Sequence, residues 1–355
     1  MVLEYIIMAA KAVIAPIAVV SCVPILVWME RRGSGFIQDR LGPNRIPIFG
    51  KRNAGLIQPV ADVIKLFLKE DIIPANVNRT LFLFAPFLVV FVAFCTFAVI
   101  PYGDTLEIGG LSIPLQVADL NFGLLFIFAL ASFSVYGVLL AGWSSNNKYS
   151  LMGGLRCSAQ MISYEIAMGL SVIGVLMVFE TLRLNESARA QGNLLFGFLP
   201  SWGVFLQPLG FVLFLIASFA ETNRTPFDLP EAESEIVAGY HLEYSSVKFA
   251  MFFMAEYMHM VVASGVIVTL FFGGWQIPWL PTVTLVAAVG PIVTALLQIA
   301  AFVAKLFFFL WLFIWVRWTV PRFRYDQLMG LGWKVMLPLA LLNIFVTGII
   351  IHILS

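Results

Sequence analysis

Residues 80–103 read TLFLFAPFLVVFVAFCTFAVIPYG, 24 positions without one acidic or basic side chain. A helix rises ~1.5 Å per residue and the hydrocarbon core of a bilayer is ~30 Å thick, so this run alone is long enough to cross a membrane. Composition extends the reading to the whole chain. Of 355 residues, 61% are hydrophobic and 12% charged, against ~45–50% and ~25% in soluble domains, which argues against a water-soluble globular class. The 21 Lys and Arg nearly balance 20 Asp and Glu, leaving a net charge of +1. Neither nucleic acid nor a strongly acidic substrate is expected as a partner.

Comparable runs lie at about 12–29, 120–143, 157–179, 202–220, 248–272, 291–318 and 335–354, which together with the first make eight spans. The run at 12–29 passes into Glu30-Arg31-Arg32, where a signal peptide would carry a small-residue cleavage site, so it reads as a permanent helix. A ninth span around 282–301 is the alternative, because 257–304 holds no Asp, Glu, Lys or Arg. Loop charge decides against it. With eight spans the loops after the first, third, fifth and seventh hold nine, two, one and, counting Arg317 at the end of the seventh span, four Lys or Arg, and the other three loops hold none, two and none. The positive-inside rule then makes 30–79, 144–156, 221–247 and 319–334 the cytoplasmic loops and puts both termini on the outer side. Nine spans would carry Arg317, Arg322, Arg324 and Lys334 across, so 282–290 reads as an interfacial segment outside. The expected fold is all-α, a single polytopic membrane domain.

The first loop contains a further helix. Leu56, Val60, Val63, Ile64, Phe67 and Leu68 share one helical face, and Gln58, Asp62, Lys65 and Lys69 the other. This is an amphipathic segment that lies on the membrane or against a partner.

Charges stand where hydrocarbon is expected. Glu165 and Glu256 lie about two turns inside spans four and six, and Glu221 closes span five. A charged side chain at mid-bilayer costs at least ~2.5–3.5 kcal/mol, so such residues face a bundle interior or a wet cavity and often serve proton or ion paths. The loop that follows gathers Glu221, Asp228, Glu231, Glu233, Glu235 and Glu243 within 23 residues. It reads either as a solvated acidic loop or as a packed segment whose acids titrate together. Interleaving by Pro226, Phe227, Leu229, Pro230, Ile236 and Val237 favours the packed segment. Lys305, halfway along span seven, is expected to face the bundle and meet a carboxylate or a polar cavity. His259 and His352 read as satisfied histidines on apolar faces, with no second ligand at metal spacing. Cys22, Cys95 and Cys157 are too scattered for a disulfide framework, an iron–sulfur cluster or a zinc site. Electrons in any redox role must therefore be carried by something bound to the chain.

The acidic segment 221–245, ETNRTPFDLPEAESEIVAGYHLEYS, closely resembles the signature loop of the mitochondrial NADH dehydrogenase subunit 1 family, the H-type core membrane subunits of proton-pumping NADH:quinone oxidoreductase, respiratory complex I. Other stretches agree in order: Glu30-Arg31-Arg32 through 40–45 RLGPNR, 58–67 QPVADVIKLF, 142–150 GWSSNNKYS, 163–165 SYE, 253–257 FMAEY and 321–329 PRFRYDQLM. The resemblance runs from the first span to the last. It implies an eight-helix core subunit joining the membrane arm to the redox arm and forming most of a tunnel for the quinone tail. Family positions near that tunnel match Glu30, Arg31, Arg40, Asp62, Arg156, Phe227, Arg317 and Arg322. The acidic path toward the pumping subunits matches Glu165, Glu221, Glu231, Glu233, Glu235 and Glu256.

By the same resemblance the substrate is a quinone, ubiquinone or menaquinone. Flavin and iron–sulfur clusters belong to other chains, and no catalytic residue or metal is expected on this chain alone. The implied partners are peripheral-arm iron–sulfur and headgroup-binding subunits, small membrane subunits, antiporter-like subunits and lipid. The implied location is the bacterial plasma (inner) membrane, with the mitochondrial inner membrane as the alternative. Two other functions compete: a membrane anchor of an energy-converting hydrogenase, and an independent ion carrier. Completeness of 40–45 and 221–245 favours the quinone enzyme over the first, and the basic first loop suits docking better than the second.

Overall fold

Apolar runs form helices because in lipid every peptide group must find its hydrogen bond within the chain. The computed structural model describes residues 2–48, 51–52, 55–108, 111–195, 197–229 and 233–354. Its principal helices are α1 (Val2–Ile37), α2 (Gln58–Leu68), α3 (Arg79–Phe97), α4 (Gly123–Ser144), α5 (Lys148–Phe179), α6 (Leu184–Ala190), α7 (Gly203–Leu206), α8 (Pro208–Glu221), α9 (Glu233–Ile236), α10 (Ser246–Phe271), α11 (Thr282–Val289) and α12 (Pro291–Thr319). The last, α13, runs Tyr325–Leu354 with a π turn at Leu331–Met336. Sheet among the described residues is limited to three two-stranded hairpins, the longest pairing Thr105–Ile108 with Leu111–Pro114. The chain is an all-α, multi-pass membrane protein.

Seven helices among the described residues are long and apolar enough to cross: α1, α3, α4, α5, α10, α12 and α13. The run expected at 202–220 is interrupted. Gln207 takes a non-helical backbone (φ −135°) between the turn α7 and the 14-residue α8 that Pro208 opens. At ~1.5 Å per residue α8 measures ~21 Å. α1 runs past the expected boundary at Met29, so Glu30 and Arg31 are helical. α2 is the expected amphipathic helix, with Val60, Val63, Ile64, Phe67 and Leu68 exposed. Residues 282–290 form only the short α11, with no buried residue.

α5 is the central element, packed against α4, α8 and α13, while α10 packs against α3, α12 and α1. Small residues set the closest approach, as expected where lipid removes the hydrophobic drive between helices. A Cβ on Gly142 of α4 would stand 2.7 Å from Ser150 O and 3.1 Å from Gly154 Cα of α5. The interior is aromatic and aliphatic, with Phe214, Phe271, Phe309, Phe313 and Trp275 fully buried. The perimeter exposes Phe87, Phe91, Phe308, Trp311 and Trp315 toward lipid.

One end of the bundle is closed by polar contacts. Lys305 Nζ donates to the carbonyls of Phe272 (2.7 Å), Gly274 (3.0 Å) and Gln276 (2.6 Å) and lies 4.7 Å from the Trp202 ring centroid. Of the two expected surroundings it has the polar one, built of peptide carbonyls at the end of α10. Beside it Gln191 Nε2 donates to Thr269 O, and its Oε1 accepts from the Gly203 and Gly273 amides.

Candidate functional site

At the opposite end, α1, α10, α12 and the turn after α8 meet around Arg224. Its backbone N–H donates to Phe219 O, which folds the turn back and sends the guanidinium inward, where the residue is 2% exposed. Removing such a cation from water costs several kcal/mol unless partners surround it. Arg224 Nη1 donates to Glu30 Oε2 at 2.9 Å, and Nε stands 2.7 Å from Glu256 Oε1. Its Cζ lies 4.4 Å from the Tyr257 ring centroid. Glu30 is shared further: Tyr257 Oη donates to Oε2 at 2.9 Å, and Arg317 Nη1 lies 2.9 Å from Oε1. Burial acts to lower the Arg224 pKa, but Glu256, Glu30 and Tyr257 outweigh it and hold the value above the ordinary one. The group is a fixed positive charge between two carboxylates.

The following loop is pinned to α5 and α12. Gln160 Nε2 donates to the carbonyls of Ala220 and Phe227, both at 2.8 Å. Buried Phe227 packs between Tyr164 and Phe323, with centroids 5.3 and 5.5 Å away. Arg322 Nη2 donates to Asp228 Oδ2 at 3.0 Å, and Arg156 Nη1 to Glu235 Oε2 at 2.7 Å. On the first loop Arg31 donates to Asp62 and fastens α2 to α1. That pair is partly exposed, which limits its net contribution to ~1 kcal/mol or less.

A second carboxylate group lies between the helices. The Ser132 hydroxyl of α4 donates to Glu165 of α5, and Glu165 acts electrostatically on Glu221 at the end of α8. Glu221 lines a cavity of about 20 Å³ together with Thr96, Thr222, Met168 and His259. That volume holds about one water molecule.

The description "NADH dehydrogenase" belongs to the family model that matches residues 10–348. The chain belongs to the NADH dehydrogenase family. It is 50% identical over 321 residues to an H-type NADH-quinone oxidoreductase subunit of Cytophaga hutchinsonii, covering 90% of each chain. With an H-type NADH-quinone oxidoreductase subunit of Geobacter sulfurreducens the identity is 49% over 363 residues, 99% of this chain and 97% of the relative. NADH-quinone oxidoreductase subunit 8 of Rhodothermus marinus is 50% identical over 335 residues, 93% of both.

Within this NADH dehydrogenase family member, the expected site residues divide into groups. Glu30, Glu256 and Arg317 converge on Arg224; Glu165 and Glu221 form the second group; Phe227 and Arg322 hold the loop. Arg31 with Asp62 and Arg156 with Glu235 are separate surface pairs. Arg40 stands apart, its Nε donating to Gln38 Oε1 at 2.7 Å. Glu231 lies outside the described residues, as does the side chain of Glu233, which opens α9. Sequence reasoning missed Tyr257 and Ser132, read His259 only as a satisfied histidine on an apolar face, and did not place Arg224 at a centre. The available signal for Arg224 was its isolation, as the single basic residue among the six acids of 221–243 apart from His241. For Tyr257 the signal was its adjacency to Glu256.

Proposed function

We propose that this chain is the core membrane subunit of a proton-translocating NADH:quinone oxidoreductase, forming the quinone access tunnel and coupling quinone reduction to proton movement. One observation carries the reading: carboxylates and guanidiniums gather inside the bundle in two groups, one of Glu30 and Glu256 around Arg224 with Arg317, the other of Glu221 and Glu165. Reducing a quinone to a quinol takes up two electrons and two protons, which changes charge beside such groups. Carboxylates held near guanidiniums respond by changing protonation, and the loop bearing Phe227 and Asp228 is the element able to rearrange with them. The exposed apolar face of α2, fastened by Arg31 and Asp62, would flank the entrance for the quinone tail, ubiquinone or menaquinone. Glu30, Arg31, Arg40, Asp62, Arg156, Phe227, Arg317 and Arg322 would line the route, and Glu165, Glu221, Glu231, Glu233, Glu235 and Glu256 would carry protons.

On this reading α7 and α8 together complete an eighth crossing, loops 30–79, 144–156, 221–247 and 319–334 face the cytoplasm, and both termini face outward. The relatives, each a subunit of an NADH-quinone oxidoreductase, supply the assembly. This chain would dock on peripheral subunits that carry flavin, iron–sulfur clusters and the quinone headgroup site, and abut antiporter-like subunits in a bacterial plasma membrane. The test is Glu165→Gln and Glu221→Gln in the assembled complex. Each is expected to slow quinone reduction or lower its proton yield with assembly intact. Unchanged rate and proton-to-electron ratio in both would overturn the proton-path assignment.

A further inference from the structure

His259 was expected to be a satisfied histidine on an apolar face, and its Nε2 contradicts that. The atom is shielded from solvent and has no hydrogen-bond partner among the described residues. A buried ring nitrogen left without a partner is costly, so the position calls for a ligand. The same side chain lines the cavity of about 20 Å³ that Glu221 also lines. A cavity of ~10–15 Å³ is enough for a water if two or more polar partners face it. Here Glu221 and His259 supply them; Thr96 and Thr222 also line the cavity but their hydroxyls donate to carbonyls of their own helices, and Ile127, Phe128, Phe214 and Val266 form the walls.

We propose that His259 is an additional proton carrier, joined through a buried water to Glu221 and through α10 to Glu256. This rests on the proton-path reading above. Glu256 precedes His259 by three residues on α10, and side chains so spaced are neighbours on a helix surface, with Cβ atoms ~5–6 Å apart. His259 therefore stands between two carboxylate groups that the ion pairs and hydrogen bonds leave separate. The titratable groups around it are Glu221 from α8, Glu165 from α5 behind Ser132 of α4, and Glu256 on its own helix; α3 contributes Thr96, which does not titrate. The step balances. Protonated Glu221 gives its proton to the water, the water passes one to His259, and the imidazolium releases one to the Glu256 carboxylate. Glu221 ends as the carboxylate, Glu256 as the acid, and water and imidazole are restored. An imidazole suits such a relay because its ordinary pKa of ~6.5 lets it gain and lose a proton near neutrality.

The test uses the assembled complex in membrane vesicles carrying His259→Gln, His259→Leu or Glu221→Gln. The readouts are NADH-driven quinone reduction, protons moved per electron, and the pH profile of both, with NADH oxidation by a soluble artificial acceptor as the assembly control. Both His259 variants are expected to slow coupled turnover about 100-fold and to flatten its pH profile near neutrality, while the control reaction is unchanged. His259→Gln decides between carrying and packing, because an amide keeps a hydrogen bond yet carries no proton. Wild-type turnover and pH profile in His259→Gln, with Glu221→Gln slowed, would overturn this inference alone. Wild-type behaviour in Glu221→Gln would overturn the reading on which it rests.

Discussion

Two cations, Arg224 buried and Lys305 partly buried, mark the two ends of this bundle, and they are held by different means. Lys305 is caged by three peptide carbonyls at the end of α10, two of them reached because Gly273 and Gly274 adopt left-handed backbones (φ +70° and +54°). Arg224 is held by two carboxylates and the face of a tyrosine. A carbonyl dipole has one charge state, whereas a carboxylate has two. The partners at the first end therefore carry no titratable proton, whereas those at the second do. The difference lies in the acceptors, since both sites solve the same problem of holding a cation withdrawn from water.

The largest expected effect comes from removing the central cation. Arg224→Leu leaves Glu256 without its cation and Glu30 with Arg317 alone and is expected to cost about 3–5 kcal/mol, read as lost assembly and a lower thermal midpoint. Adding Glu256→Gln should recover part of that loss; no recovery would mean that Arg224 acts through packing and not charge. Lys305→Met is expected to cost about 2 kcal/mol, with quinone reduction per assembled complex unchanged. A fall in turnover would break the contrast between a static end and a titratable one.

The smallest effect is a pH slope. His241 is packed edge-on against Tyr240 and Phe249, and burial pushes its pKa down from 6.5 to about 4. A base whose folded pKa is depressed favours the folded state above its unfolded pKa and loses that contribution as pH falls. Thermal stability should drop by about 1 kcal/mol between pH 7 and pH 5.5 from this group. His241→Gln should remove that part of the slope, and an unchanged slope would show that the group is not responsible.

The long helices were legible because an uncharged run of more than about 20 residues has few alternatives in a bilayer. Charge marks the end of the apolar run at Met29, and the helix continues beyond it through Glu30-Arg31-Arg32 to Ile37, where Glu30 pairs with Arg224 and Arg317, and Arg31 with Asp62. Hydropathy averaged over the break at Gln207 and Pro208 and so gave a full-length fifth span. Glu30, Glu256 and Arg317 were each legible as candidates through the resemblance. Their convergence was not, since Arg224 and Glu30 are 194 residues apart in the chain and nothing local records the contact. His259 was visible, and periodicity placed it on an apolar face, but the pattern cannot register a single nitrogen without a donor or acceptor opposite it.

The group around Arg224 also obeys a balance that limits what it can do. Glu30 and Glu256 set against Arg224 and Arg317 sum to zero formal charge. One extra proton on either acid leaves an unmatched positive charge where solvent screening is weak, at a Coulomb cost far above that in water. Electroneutrality then ties the occupancy of this site to events beside it. By charge balance alone, a proton on either acid is favoured when negative charge stands nearby and disfavoured when it departs.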